Sequence, residues 1–228
     1  MSLRPRLKMV ADMVRRGSRI ADIGTDHGYL PAWLVKSGKC PGGVAADLRK
    51  SPLENAAETL RIYGVEDKIS LRLSDGLDSV SGSEYDDVVL AGMGGTLIAE
   101  ILKRNPDIKD SSKRIIVQPN SHSEDVRKFF CENGFHILYE DACVDDRRDY
   151  LSFCAEYTGE ENTKSGLYYY LGSHPLCGNE ASLRIAKRKI RNIKTRFEAL
   201  EKNNIITNEY YELKNILTEF AEVQPWQE

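Results

Sequence analysis

At 228 residues, 41% hydrophobic and 29% charged, the chain can bury a real core, which excludes wholesale disorder. A formal net charge of -3 neither demands nor excludes a polyanionic partner, so the distribution of charge has to be read instead. The five cysteines (Cys40, Cys131, Cys143, Cys154, Cys177) form no CxxC pair and no His/Cys cluster at ligand spacing, so no metal is expected.

The chain opens MSLRPRLKMV, without the apolar core of a signal peptide. No later run is apolar enough to span a bilayer, and a reduced, cytoplasmic protein is expected. Strand-like runs then alternate with helical ones. The runs at Ser18 to Ile23, Gly43 to Asp47, Ile69 to Leu73, Asp87 to Ala91 and Arg114 to Val117 read as strands. Leu30 to Lys36, Pro52 to Tyr63, Leu97 to Arg104 and Glu124 to Asn133 read as the helices between them. Ser51-Pro52-Leu53-Glu54 and Ser121-His122-Ser123-Glu124 predict two capped helix starts. Such alternation predicts a parallel sheet with right-handed crossovers. Phe135 to Ala142 and Tyr150 to Tyr157 read as an antiparallel pair across an acidic turn, which suits a Rossmann-like methyltransferase sheet better than a dehydrogenase.

Gly166 to Asn179 reads as a linker. Beyond it Leu183, Ala186, Ile190, Ile193, Phe197 and Leu200 recur at spacings of three and four, and Tyr210, Leu213, Leu217 and Phe220 do the same after Asn203-Asn204. That pattern predicts an antiparallel, coiled-coil-like α-helical hairpin whose seam is packing. The expected division is residues 1–160 as a cofactor-binding catalytic domain, 161–180 as linker and 181–228 as the hairpin.

The stretch ADIGTDHGYLP, Ala21 to Pro31, carries the chemistry. A carboxylate ends the first strand at Asp22, and a glycine turn then leads into a helix, which is a general device for bringing backbone close to a cofactor. Asp26 replaces the middle glycine of G-x-G-x-x-G, and a pyrophosphate would meet that carboxylate at close range. S-adenosylmethionine has no phosphate and carries a cationic sulfonium, so the acids favour the methyl donor over NAD. Asp47 closes the second strand roughly 20 residues on, where an acid bonds ribose hydroxyls. Asp75-Gly76 follows the third strand and could receive the adenine amino group. After the fourth strand, Ala91-Gly92-Met93-Gly94-Gly95 lacks the D/N-P-P-Y/F of enzymes that methylate exocyclic amines. Its glycines would let a flat base lie near the backbone with Met93 on its face, unless the segment is a plain turn capped by Thr96.

DIGTDHGYLP, AGMGG, the triplet Gln118-Pro119-Asn120 and the coiled hairpin, in this order, resemble the bacterial tRNA (adenine-22-N1)-methyltransferase family. The resemblance covers essentially the whole chain, including Arg6-Leu7 and the region around Gly172 and Pro175-Leu176. It implies a class I methyltransferase that uses S-adenosyl-L-methionine and acts on tRNA. Asp22, Gly24, Asp26, His27, Asp47, Leu48, Asp75, Gly76, Ala91, Gly92 and Met93 would form the methyl-donor site. Asp26, Tyr29, Met93 and Asn120 would face the acceptor adenine, with Asp26, Tyr29 and Asn120 catalytic. Asp47 stands where relatives often have glutamate, which shortens its reach. Leu151 follows Tyr150 where an acid is frequent, so that pair is left out, and Gly28, often alanine, is a minor change.

Adenine N1 carries an in-plane lone pair, so alignment is the main task, and Asp26 would stabilise the cationic product or accept a proton. His27 is either a base or a histidine bonded within its turn. His122 and His174 read as surface or linker residues. Arg184 to Arg196 holds seven cations and no acid, and Arg184, Lys187, Arg188, Arg191 and Lys194 share one helical face away from the seam. That face, with Arg6 and the neighbouring Arg4, Lys8, Arg15 and Arg16, would bind tRNA phosphates. The rivals are a protein or small-molecule methyltransferase whose hairpin is a dimerisation arm, and a non-catalytic donor-binding protein. A monomer is expected over an oligomer.

Overall fold

The computed structural model describes residues 2–172 and 179–223. His174, Pro175-Leu176 and Cys177 lie outside the described residues. Seven strands form one mixed sheet: β1 (Ile20–Ile23), β2 (Gly43–Asp47), β3 (Ile69–Leu73), β4 (Asp87–Gly94), β5 (Arg114–Ser121), β6 (Phe135–Asp145) and β7 (Arg148–Tyr157). Their order is β3-β2-β1-β4-β5-β7-β6. The first five pair in parallel, and β7 runs antiparallel to both β5 and β6. The fold is α/β, a Rossmann-like class I methyltransferase sheet.

The helices are α1 (Pro5–Met13), α2 (Tyr29–Lys36), α3 (Lys50–Tyr63), α4 (Gly95–Arg104), α5 (Ser123–Glu132), α6 (Gly166–Leu171), α7 (Glu180–Lys202) and α8 (Asn208–Val223). All of β1 is buried because helices cover both faces of the sheet, which is why its sequence is apolar without alternation. Two apolar layers result, one including Ile23, Val88, Leu90, Ile98 and Phe153, the other Val10, Ile20, Leu34, Val89 and Ile116. The strand order reverses at β1, flanked by β2 and β4, and a cleft is expected at the carboxyl ends of these strands.

Both predicted serine caps are corrected. α3 starts before Ser51, with Arg49 at its cap and no side-chain capping bond. β5 runs through Ser121, so α5 begins after His122, again with no side-chain cap. The strand hydrogen bonds of β5 extend over residues that a local rule assigns to a cap.

A short helix, α6, lies inside the stretch expected to be a linker. Its Leu171 joins Ala186, Ile190, Ile193, Leu200, Leu213 and Ile216 in the apolar seam of the α7–α8 hairpin. Arg127 of α5 ties this assembly to the sheet. It is almost wholly buried, donates to both oxygens of Glu140 on β6 at 2.9 Å, and donates to the carbonyls of Tyr169 and Tyr170 at 2.9 and 3.1 Å. Ala181 and Ile185, at the start of α7, belong to the main core, so the hairpin grows out of the sheet domain.

Candidate active site

The turn after β1 is built from left-handed backbone. Gly24, Asp26 and Gly28 have φ of 72°, 51° and 66°. Glycine takes this region freely, whereas Asp26 does so at a cost of roughly 1–2 kcal/mol, tolerable because short polar side chains bond locally. A Cβ on Gly24 would lie 2.3 Å from Met93 Cε, so the missing side chain is what lets Met93 pack against the turn. Gly28 caps α2, and a Cβ there would meet Ala56 at 3.0 Å. An alanine at Gly28 is therefore not the minor change expected from the sequence, since both φ and space oppose it.

Asp22 ends β1 with 4% exposure and accepts a 2.6 Å hydrogen bond from the Thr25 hydroxyl. Burial pushes its carboxyl up to about 6 against that hydrogen bond, and the charge of Asp47 adds to the rise. Asp47 is buried at the end of β2, where its carboxylate accepts from the Arg49 backbone N–H at 2.9 Å.

These residues line one cleft of about 900 Å³ at the switch point. It brings together Asp22, Gly24, Asp26, His27, Tyr29 and Asp47 with Ala91, Gly92, Met93 and Asn120. Their sequence separation, from 22 to 120, is closed by the parallel order of β2, β1, β4 and β5. The AGMGG segment is no plain turn. Strand β4 continues to Gly94 with register breaks around Met93, the kind of irregularity that re-aims a side chain. Of the segment's three glycines only Gly92, with φ 82°, opens onto the cleft, whereas Gly95 has no room for a Cβ because the His122 carbonyl lies 2.0 Å from that position. Thr96 caps nothing and donates to Asp125 at 2.6 Å.

Asp75 and Gly76 are not brought in. The Asp75 carboxylate is held by Arg104 at 3.1 Å, and Gly76 packs on Ile101. Leu48 follows Asp47 as an exposed side chain and does not line the cleft. His27 and Tyr29 stack at 5.5 Å between ring centroids, with Asp26 Oδ2 3.8 Å from His27 Nε2.

Arg6 is placed otherwise than a phosphate-binding track requires. It lines the cleft, and its Nη1 donates to Gln118 Oε1 at 2.7 Å. Gln118 in turn donates to Asn120 Oδ1 at 3.1 Å, and Asn120 Nδ2 donates to the Gly92 carbonyl at 2.8 Å. This chain fixes the orientation of the Asn120 amide. Gln118 and Thr25 are contributions that sequence reasoning passed over. Both stand inside quoted motifs, but nothing in their spacing marks a side chain that orients another. Arg15 is also withdrawn from the basic track, since it grips buried Asp87 through its backbone N–H and its Nε, both at 2.7 Å.

On α7 the cations divide. Arg184 donates to Asp149 at 2.8 and 3.0 Å, and Arg188 reaches the same carboxylate at 3.4 Å. Lys189 is bound to Glu124 and Ser123, Arg196 to Glu209, and Lys194 lies 5.8 Å from the Phe220 ring centroid. Lys187 and Arg191 are exposed and have no ion-pair or hydrogen-bond partner among the described residues. The described residues contain no cluster that could hold a metal, and none of their helices is long and apolar enough to cross a membrane.

A parallel sheet reversing at β1, an antiparallel final hairpin and an acid-bearing glycine turn define the methyltransferase class. Residues 3–152 match the model of a methyltransferase domain, and the chain belongs to that family. It is 34% identical over 156 residues to the tRNA (adenine(22)-N(1))-methyltransferase of Bacillus subtilis, an alignment spanning 68% of this chain and 66% of that protein. The crystal structure of the tRNA methyltransferase TrmK from B. subtilis matches with a TM-score of 0.86 and 26% identity, over 98% of this chain and 97% of that one. A Streptococcus pneumoniae structure in complex with S-adenosyl-L-methionine matches with a TM-score of 0.80 and 25% identity, over 95% of this chain and 100% of that one. An M. capricolum TrmK structure in complex with S-adenosyl-homocysteine matches with a TM-score of 0.76 and 27% identity, over 97% of both chains. These are relatives of the kind the sequence motifs resemble.

Proposed function

We propose that the chain is a cytoplasmic, S-adenosyl-L-methionine-dependent tRNA methyltransferase that modifies N1 of adenine 22, in the D-region. The observation that carries this reading is the acid-lined turn: Asp22, Asp26 and Asp47 face one cleft at the switch point. The residues fit the methyl donor. Carboxylates at the ends of adjacent strands suit ribose hydroxyls and cationic centres, and Gly24, having no side chain, lets Met93 seat against the turn at the floor of the cleft. Asp47 would take the ribose. Asp75 would join only after leaving Arg104. When bound, S-adenosylmethionine supplies the electrophilic methyl group.

The chain's own work is then alignment. Adenine N1 needs no prior deprotonation, so the barrier is lowered by holding the base in line. Asn120, its amide fixed through Gln118 and Arg6, would orient the base edge, and Tyr29 and Met93 would hold its faces. Methylation leaves the base cationic, and the Asp26 carboxylate would stabilise that charge or take the exocyclic amine proton. N1 lies on the pairing edge, so the tRNA has to expose the adenine first, at a cost of about a few kcal/mol. Contacts of Lys187, Arg191 and their neighbours on α7 with phosphates would meet that cost.

The test is methyl transfer from labelled donor to unmodified bacterial tRNA transcripts, followed by nucleoside analysis. N1-methyladenosine is expected. Tight donor binding with label only in protein or in a small molecule would reject the tRNA reading and leave the fold reading intact.

A further inference from the structure

A second cleft opens beside the first. It encloses about 440 Å³ between the end of β5, the β6–β7 turn and the start of α7, and it shares Asn120 with the candidate active site. Its walls are cationic, with Arg147 and Arg148 from the turn and Arg188 and Lys189 from α7. Lys189 is neutralised by Glu124 at 2.5 Å. Asp149 is the one carboxylate lining the cleft, and it divides between Arg184 and Arg188. Arg147 and Arg148 are exposed and have no ion-pair or side-chain hydrogen-bond partner among the described residues. The two central residues of the turn, Asp146 and Arg147, have φ of 46° and 62°, as a two-residue β-hairpin turn requires. Asparagine and glycine are the residues that take such positions cheaply, yet an arginine stands at the second.

We propose that this cleft is a phosphodiester subsite, in which Arg147 and Arg148, with Arg188 behind them, hold the RNA backbone at a nucleotide adjoining the target adenine. The inference rests on the tRNA reading above and deepens it. Because Asn120 lines both clefts, a base held beside it in the first directs its own backbone toward the second. Guanidinium forks without internal partners are free to take phosphate oxygens in pairs, and each such contact is charge-assisted. The chain of contacts then runs from the hairpin, through the turn, to the site of methylation. A polyanion is thus carried past Asp149 to an acid-lined cleft that its phosphates do not enter.

The experiment replaces Arg147→Asn and Arg148→Gln together in the full chain. Asparagine tolerates the left-handed backbone, and a thermal melt confirms the fold. Methyl transfer to a tRNA transcript and salt-dependent filter binding of the same transcript are measured beside donor affinity. The expected result is a KM for tRNA raised about tenfold or more, unchanged kcat and donor Kd, and a slope of log K against log salt reduced by about 2. The charge-conserving pair Arg147→Lys and Arg148→Lys should restore the slope. An unchanged KM and slope, or a loss of donor affinity in step with the rise in KM, would overturn the subsite. A wild-type protein that binds donor but methylates no tRNA strikes the functional reading instead, and the filter-binding slopes still decide the subsite.

Discussion

The acid-lined cleft and the basic first helix of the hairpin present opposite charges in opposite ways. In the cleft, Asp22 is buried and Asp26 is held in left-handed backbone, so the negative charge is fixed in place by the fold. On α7 the cations other than Lys189 are exposed, and carboxylates such as Asp149 and Glu209 hold some of them while Lys187 and Arg191 stay free of partners among the described residues. A charge fixed at a buried strand end, as at Asp22, acts strongly on one small ligand. Exposed cations act weakly, additively and subject to salt on a long polyanion. A net charge of -3 is compatible with both because the two are separated in space.

The comparison breaks most sharply at Asp26. Asparagine keeps the backbone geometry, so Asp26→Asn should retain fold and donor affinity while kcat falls about 10²–10⁴-fold, the range of an acid–base or charge-stabilising group. Steady-state kinetics beside calorimetry checks this, and an unaffected kcat would move attention to His27.

A buried carboxylate paired with a half-buried arginine gives the next largest effect. Asp87 is wholly buried and is held by Arg15 and by the Ser18 hydroxyl at 3.1 Å. Asp87→Ala leaves the Arg15 backbone N–H and the Ser18 hydroxyl without that acceptor, while the guanidinium keeps the Asp86 and Ser112 carbonyls. It should cost about 1–3 kcal/mol in denaturant unfolding.

Asp22 sharpens the contrast through pH. Its folded pKa of about 6 exceeds its unfolded value, so between roughly pH 4 and 6 the folded state keeps a proton that the unfolded state has lost. The group therefore lowers stability as pH rises through that window, by about 3 kcal/mol in all, and Asp22→Asn should flatten the curve. Donor affinity should move the other way, rising through pH 6 as the carboxylate ionises. A pH-independent affinity would remove Asp22 from the donor site.

The smallest effect belongs to the hairpin. Lys187→Ala with Arg191→Ala should weaken tRNA binding about tenfold and lower the salt slope by about 2, with stability unchanged to within about 0.5 kcal/mol. An intact salt slope would favour the dimerisation-arm reading of α7 and α8.

Much of this was legible in the sequence because periodicity reports burial. The five parallel strands, the final antiparallel pair and the hairpin seam follow from runs that must be apolar on one face or both. Asp22 and Asp47 stand out because acids end two consecutive strands, and Asp26 because it replaces a glycine of the phosphate fingerprint; that all three line one cleft follows from the parallel order of β1 and β2. Other features escaped for long-range reasons. Whether Arg6 meets phosphate or Gln118 depends on α1 lying over β5, and no local pattern encodes that. Asp75 looked equal to Asp47 until Arg104, on a helix 29 residues later, took its carboxylate. Arg147 and Arg148 were lost in an acidic turn because their significance depends on Arg188, which lines the same cleft only once α7 packs against the sheet.

The most direct test of the central claim is to map the modified base. A single unmodified bacterial tRNA transcript is incubated with the protein and S-adenosylmethionine, and N1-methyladenosine is located by the primer-extension stop it causes at the pairing edge. The account predicts one stop, at adenine 22, abolished when that adenine is replaced by guanine. A stop elsewhere, or methylation that survives the replacement, would contradict it.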